Sequence, residues 1–179
     1  MNRSSLLSLL DSYIPAEGLE TEMYLETKQF VNDNPECFER TLLIGHITAS
    51  GWVVSPERDK VLLMHHRKLD RWFQPGGHAD GDPDVRHVAE KEVEEETGAS
   101  NLRLAKEGIF DVDVHLIPAN SKDPAHYHYD IRFVFEANPE NELVVNIESK
   151  DVQWIAVENI HLYNNSESLM RMVRKTALI

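Results

Sequence analysis

The spacing of apolar residues changes near residue 40, from a helical period to the alternation and short apolar runs that are typical of strands. Residues up to about 36 are predicted to form two helices, the first through Leu6–Leu10 and ending at Pro15. The second begins near Glu17 and ends at the breaker cluster Asn32–Pro35. Its apolar residues are spaced for one face: Leu19, Met23, Phe30 and Val31. The pattern therefore predicts a helical pair ahead of the main domain.

The rest of the chain predicts strands around one central helix, with a further helix at the end. Strands are predicted at 42–48, 51–54, 61–66, 109–118, 127–137 and 151–156. A helix is predicted from Asp84 to Thr97, with Asp82 as its N-cap residue and Gly98 after its last turn. Ser166 opens the last helix. This order of elements predicts a mixed α/β sandwich.

The central helix carries acidic residues on its apolar face. At about 100° per residue, the apolar arc is formed by Val85, Val88, Ala89 and Val93. Glu92 and Glu96 fall inside that arc and Glu95 lies at its edge, at spacings that let their oxygens converge. The other polar residues of this stretch point to solvent: His87, Glu90, Lys91 and Glu94. Ionised groups on a buried face are costly unless they are compensated.

Converging carboxylates with few basic neighbours are what a Mg²⁺ or Mn²⁺ site requires, because hard cations take oxygen ligands. The loop before the helix supports this interpretation, since Gly76 and Gly77 let the backbone approach a ligand closely. Carboxylates that are protonated, or paired with arginine, are the alternative that the pattern leaves open.

Composition narrows the function classes. The formal net charge of −13 argues against a general nucleic-acid binder, which needs a basic surface. It permits a phosphate-bearing small molecule, because bound divalent cations can supply positive charge. No apolar run is long enough to span a bilayer, and the first residues, Met1–Leu7, show no signal-peptide pattern. Cys37 is the sole cysteine, which excludes an internal disulfide and is typical of a reducing cytoplasm.

The glycine loop and the acidic helix together resemble the Nudix box. That signature is a glycine, five residues, a glutamate, seven residues, and then Arg-Glu-apolar-x-Glu-Glu-x-Gly-apolar. Gly77 takes the first position, and the end is filled in register by Glu92, Val93, Glu95, Glu96, Gly98 and Ala99. Pro83 stands at the first glutamate and Lys91 at the arginine. The flanking segments 72–77 and 152–154 also resemble the family, whereas the N-terminal helical pair does not.

The resemblance implies a Nudix-type α/β/α sandwich with a mixed sheet, assigned to residues 39–179, behind an N-terminal helical segment, 1–38. It implies hydrolysis of a diphosphate linkage in a nucleoside diphosphate derivative, by water attack at phosphorus. It implies metal ligation by Glu92, Glu95 and Glu96, with Mg²⁺ expected and Mn²⁺ as the alternative. Relatives often pair, so a homodimer is left open.

The departures from the signature affect geometry. Pro83 cannot bind a metal, so Asp82 or Asp84 is expected to take the outer role of the missing glutamate. Lys91 keeps a charge but loses the two-pronged shape of a guanidinium.

The proton acceptor is open among several carboxylates. Glu95 or Glu96 could serve, and in many relatives a downstream glutamate does. Glu148 and Asp151 are the candidates in this sequence, although each could equally be a loop charge at the start of a strand.

Candidate substrate contacts surround the glycine loop. Gly76, Gly77 and His78 form the loop itself, and Arg67 lies in the most basic stretch of the chain. His126 and His128 alternate on a predicted strand with Asp130, so the three share one side, either a wall that faces the ligand or a solvated surface. No cysteine and no H-E-x-x-H spacing supports a zinc site there.

Two other functions are compatible with the fold. One is a nucleotide-sensing module that has lost hydrolysis, although the three helix glutamates are all present. The other is an isopentenyl diphosphate isomerase-like enzyme, whose chemistry uses a cysteine in the site, whereas Cys37 precedes the domain. The substrate stays open among oxidised nucleotides, ADP-ribose, dinucleoside polyphosphates and nucleotide sugars.

Overall fold

A computed structural model describes residues 3–179 and shows a mixed sheet between helical layers. The helices are α1 (Arg3–Ser12), α2 (Leu19–Asp33), α3 (Val85–Thr97), α4 (Ile160–Tyr163) and α5 (Glu167–Thr176), with a 3-10 helix at Val157–Asn159 before α4. The strands are β1 (Gly45–Val54), β2 (Lys60–His66), β3 (Arg71–Phe73), β4 (Gly76–His78), β5 (Arg103–Leu104), β6 (Asp111–Ile117), β7 (His126–Glu136) and β8 (Ser149–Ala156). The α/β fold expected from the sequence is confirmed.

The sheet is built around a long parallel pair. β1 and β7 run parallel from Gly45 opposite Tyr127 to Val54 opposite Glu136, and every other pairing is antiparallel. The main path runs β3-β2-β1-β7-β5, while β4 also pairs with β1, β6 with β7 and β8 with β2. The sheet therefore brings segments that are about eighty residues apart in sequence side by side at its centre.

Each face of the sheet packs on a different helix. α3 lies on one face so closely that a Cβ added at Gly51 of β1 would lie 2.3 Å from the side chain of Val93. On the other face, α5 packs through Leu169 and Met172, and the indole N–H of Trp52 donates to Thr176 at 2.8 Å. Because β1 is buried on both faces, it has ten buried residues in succession and lacks the alternation of a half-exposed strand.

The sequence predicted two strands, at 42–48 and 51–54, where the structure has the single strand β1. Gly51 resembles a break in the sequence, but the close approach of α3 is the reason that this position lacks a side chain.

The predicted N-terminal helical pair is confirmed and packs into the main core. Leu6 and Leu10 of α1, and Phe30 and Val31 of α2, are buried in the cluster that also contains the inner face of α3. The expectation for Leu19 was wrong, because this side chain is 56% exposed. It stands at the first residue of α2, and the buried face of the helix begins instead at Glu20. No helix within residues 3–179 is long and apolar enough to cross a membrane.

The start of α3 also differs from the prediction. Asp84, and not Asp82, is the N-cap residue, and its carboxylate accepts the His87 backbone N–H at 3.2 Å. Asp82 accepts the backbone N–H of Asp84 at 2.9 Å. Gly98 ends the helix in the left-handed conformation (φ 71°), as predicted.

A buried ionic network ties β6, β7 and α5 together on the face opposite α3. Asp111 is fully buried and accepts hydrogen bonds from Arg171 at 2.8 and 2.7 Å and from Arg132 at 3.1 Å. Although burial opposes it, the hydrogen bonds from Arg171 and the charge of Arg132 lower the pKa of Asp111. The network adds to the apolar packing of Leu169 and Met172 in holding α5 against the sheet.

Candidate functional site

The acidic helix α3 turns two of its three candidate glutamates toward the glycine loop. Glu96 is 6% exposed and Glu92 is half-buried, as the apolar arc of the helix predicted. Glu95 lies on the open side, with 59% of its side chain exposed, and pairs with Lys91 at 3.6 Å. The structure therefore separates the three carboxylates into an inner pair and an outer member.

The glycine loop lies directly against the inner pair. The backbone N–H of Gly76 donates to Glu96 Oε2 at 2.8 Å. A Cβ added at Gly77 would lie 2.6 Å from the carboxyl carbon of Glu92, closer than non-bonded atoms approach. Only glycine leaves room for that carboxylate, so the loop and the helix form one site.

Burial and mutual repulsion shift the titration of both inner carboxyl groups. Burial, followed by the charge of Glu92, raises the pKa of Glu96 to about 8, although the Gly76 hydrogen bond acts in the opposite direction. Burial and the charge of Glu95 also raise the pKa of Glu92. No arginine is among the causes of either shift, which does not support the alternative of arginine-paired carboxylates. A pKa of about 8 instead leaves Glu96 largely protonated at neutral pH, which is the other alternative that the sequence pattern left open.

Glu148 is the downstream carboxylate that reaches this site. It is exposed, and its charge adds to the rise in the pKa of both Glu92 and Glu96. Asp151, the other candidate, uses its carboxylate locally, because it accepts the Val152 backbone N–H at 2.8 Å. The structure thus brings Glu148, and not Asp151, into electrostatic contact with the helix glutamates.

Arg67 holds the loop that carries Glu148. Its guanidinium donates to the backbone carbonyls of Ile147 at 3.0 Å and Ser149 at 2.7 Å. Its backbone N–H donates to the Glu148 carbonyl at 2.8 Å. The guanidinium group that the sequence suggested for substrate phosphate therefore donates to the Glu148 loop. These contacts fix the position of Glu148.

Arg40 is a candidate that sequence analysis missed. It forms an ion pair with Asp80, two residues after the glycine loop. The hydrogen bond to Asp80 is the largest cause that raises the pKa of Arg40, and the charges of Glu92 and Glu148 are smaller causes. A cation is therefore close to the carboxylates, supplied by the segment between α2 and β1. The sequence gives no motif for this residue, because its neighbours come from distant segments.

His78, His126 and His128 lie together on the face opposite α3. The ring centroids of His78 and His128 are 4.9 Å apart, and Nε2 of His126 lies 3.3 Å from Nε2 of His128. His46 of β1, which sequence analysis did not single out, is the buried centre of this group, 4.8 Å from His128 between ring centroids. Asp130 is excluded from the group, because Thr48, Ser50 and Arg132 all donate to it.

Within residues 3–179, one set of three histidine, cysteine or acidic residues has candidate ligand atoms that all lie within 4.8 Å of one another: His46, His78 and His128. Glu92, Glu95 and Glu96 do not approach one another as closely as this.

Comparison with known proteins agrees with this geometry. The model of the NUDIX domain family matches residues 45–175, from the start of β1 to the end of α5. No curated protein matches the chain.

Solved structures show the same fold. An Ap4A hydrolase from C. elegans, in a binary complex, is 16% identical with a TM-score of 0.60, over 74% of this chain and 95% of that one. A NUDIX-family hydrolase from Clostridium perfringens is 25% identical with a TM-score of 0.55, over 74% and 97%. The M. smegmatis Nudix hydrolase RenU is 18% identical with a TM-score of 0.57, over 75% and 88%.

Proposed function

The chain belongs to the Nudix family and is a hydrolase of the pyrophosphohydrolase type, and from this premise we propose that it cleaves a diphosphate linkage in a nucleoside diphosphate derivative, with Mg²⁺ bound by Glu92, Glu95 and Glu96. The observation that carries the proposal is the burial of Glu96 against the Gly76 N–H, with no arginine among the groups that shift its pKa. The water attacks phosphorus, as the resemblance implies.

The donor set fits a hard divalent cation. Three carboxylates and the backbone of a glycine turn provide oxygen ligands, which Mg²⁺ and Mn²⁺ prefer. Burial, and after it the charges of neighbouring carboxylates, raise the pKa values of Glu92 and Glu96, and a bound cation would offset both effects. When bound, the cation neutralises diphosphate oxygens and lowers the pKa of water. An outer role for Asp82 or Asp84 stays a prediction, since both carboxylates accept local backbone N–H groups.

We assign the proton acceptor to Glu148, ahead of Glu95 and Glu96. Glu148 is exposed to solvent, where it can meet the attacking water, and it lies close enough to act on the titration of both inner glutamates. Glu96 already accepts a hydrogen bond from the Gly76 N–H, and its side chain is less accessible to water than that of Glu148. Arg67 is then a positioning residue for the Glu148 loop, through its hydrogen bonds to the adjacent carbonyls.

Substrate contacts are proposed around the glycine loop. Gly76 and Gly77 let the diphosphate approach the inner carboxylates. His78 follows them directly, and His126 and His128 extend the same polar wall along β7. Arg40, beside the loop, adds the positive charge that a phosphate requires.

The test is hydrolysis of a substrate panel with Mg²⁺, with Mn²⁺ and with EDTA. The panel contains Ap4A, because one similar structure is an Ap4A hydrolase, together with ADP-ribose, a nucleotide sugar and an oxidised nucleotide. Reaction in ¹⁸O-water, followed by ³¹P NMR, identifies the attacked phosphorus. We expect cation-dependent cleavage that Glu96→Gln lowers at least ~100-fold, and that Glu94→Gln, an exposed residue of the same helix, leaves unchanged.

Two results would refute the proposal. One is cleavage that EDTA and Glu96→Gln leave unaffected. The other is tight nucleotide binding without turnover, which would favour the sensing module.

The remaining assignments are the division into 1–38 and 39–179, a cytoplasmic location and a homodimer. The location is proposed because Cys37 is alone and buried. The dimer is a prediction of the resemblance, which light scattering of the purified chain would test.

A further inference from the structure

Four strands bring histidines to one spot on the sheet face opposite α3. His46 of β1 is the direct partner of His128 on β7, and His128 is the direct partner of His115 on β6. His78 of β4 pairs with Thr48, two residues along β1 from His46 and on the same face. His126 precedes His128 by two residues on β7. The arrangement results from register and not from a local sequence motif.

The rings are close enough to share a ligand. Ring centroids are 5.0 Å apart for His46 and His78, 4.8 Å for His46 and His128, and 4.9 Å for His78 and His128. One nitrogen from each of these rings lies within 4.8 Å of the others. Zn–N bonds of about 2.0–2.1 Å place the nitrogens of a tetrahedral site roughly 3.4 Å apart. Small side-chain rotations close that difference.

His46 provides an independent indication of a ligand. Its side chain is 3% exposed, and neither Nδ1 nor Nε2 makes a hydrogen bond of normal geometry, although the backbone of Leu42 lies close to the ring. A buried polar atom without a good partner is destabilising, and native proteins rarely keep one without a reason.

The ligand chemistry favours one class of ion. Neutral imidazoles suit Zn²⁺, Cu²⁺ and Ni²⁺, whereas Mg²⁺ takes oxygen ligands.

We propose that His46, His78 and His128 bind a divalent transition-metal ion of the zinc class, with His126 or water in the fourth position. This site uses none of the carboxylates and does not depend on the proposed hydrolase function, although a bound ion would take His78 and His128 from the proposed substrate contacts. It is next to the carboxylate site, because His78 follows Gly77, whose backbone lies against Glu92. A bound ion would join β4 to β1 and β7 and fix the glycine loop.

The experiment is a Co²⁺ titration of the chelator-treated full chain without a polyhistidine tag, followed by visible absorption and by displacement with Zn²⁺. We expect tetrahedral Co²⁺ bands that saturate at one equivalent and vanish when Zn²⁺ is added. The test variant is the double substitution His78→Gln with His128→Gln, which leaves the buried His46 in place. The matched control is His161→Gln, an exposed histidine of α4. The double variant should bind at least ~100-fold more weakly, and the control should match the wild type.

Thermal unfolding with and without Zn²⁺ adds a second readout, since an ion that binds only the folded state raises the unfolding temperature. It also shows that the double variant folds. A Glu92→Gln, Glu96→Gln variant should keep the Co²⁺ bands, which separates this site from the carboxylates. Absence of the bands in the wild type, or equal binding by the His78, His128 variant, would overturn the proposal.

Discussion

Replacing Glu96 by glutamine removes one buried charge and little else. The amide oxygen of glutamine can still accept the Gly76 N–H that Glu96 now accepts at 2.8 Å. In the metal-free protein the pKa of Glu96 is about 8, against 4.5 for an ordinary glutamate. At about 1.4 kcal/mol for each pH unit, ionising this group costs the fold at most about 5 kcal/mol.

The direction of the pKa shift of Glu96 determines how stability changes with pH. Because the folded-state pKa is raised, the stability that Glu96 contributes is fully present below about pH 4.5 and is lost as the pH rises toward 8. Metal-free Glu96→Gln should therefore match the wild type at acid pH and exceed it above pH 8 by several kcal/mol. Saturating Mg²⁺ should narrow that gap above pH 8, because a cation at 100 times its Kd adds about 2.7 kcal/mol to the wild type alone.

The assay is urea unfolding of both proteins in EDTA, from about pH 5 to about pH 9. The other titrating groups are common to both proteins and cancel in the difference between them. Glu94→Gln, on the exposed side of α3, is the control. A difference between wild type and Glu96→Gln that stays constant with pH would refute the claim that burial raises the pKa of Glu96 in the folded protein.

Three further substitutions test the packing around the site. Gly77→Ala puts a methyl 2.6 Å from the Glu92 carboxyl carbon, so we expect hydrolysis to fall ~10–100-fold with little loss of stability; unchanged initial rates would contradict the shared site. Gly51→Ala meets a buried valine of α3 at 2.3 Å and should lower the free energy of unfolding by about 1–3 kcal/mol; a neutral urea midpoint would show that α3 yields easily. Arg171→Met leaves Asp111 fully buried with fewer partners and should destabilise by about 3–5 kcal/mol; wild-type stability would show that the other cations suffice.

Residues within one element could be placed from the sequence, because periodicity fixes which side chains share a face. The inward direction of Glu92 and Glu96 followed from the apolar arc of α3, and the common face of His126 and His128 followed from strand alternation. The end of α3 at Gly98 followed from local chemistry. The outward direction of Glu95 could not be predicted in this way, because the exposure of a residue at the edge of the arc depends on which side chains pack beside it.

Contacts between distant elements could not be placed, because no local signal records the register of a parallel pair. His46 meets His128 only through the pairing of β1 with β7. Arg40 reaches Asp80 only because the chain before β1 passes the glycine loop. The sequence also could not show which of two similar residues caps α3. Asp82 and Asp84 are both good N-cap residues, and the structure uses Asp84.

A cation held by the inward carboxylates is central to the proposed function, and Mn²⁺ binding followed by electron paramagnetic resonance tests for it most directly. Mn²⁺ prefers oxygen ligands, so its titration reports on the carboxylate site and not on the histidines. We predict that the wild type removes free Mn²⁺ from solution in a saturable way, whereas a Glu92→Gln, Glu96→Gln variant binds at least ~100-fold more weakly. Equal binding by the two proteins would contradict the account.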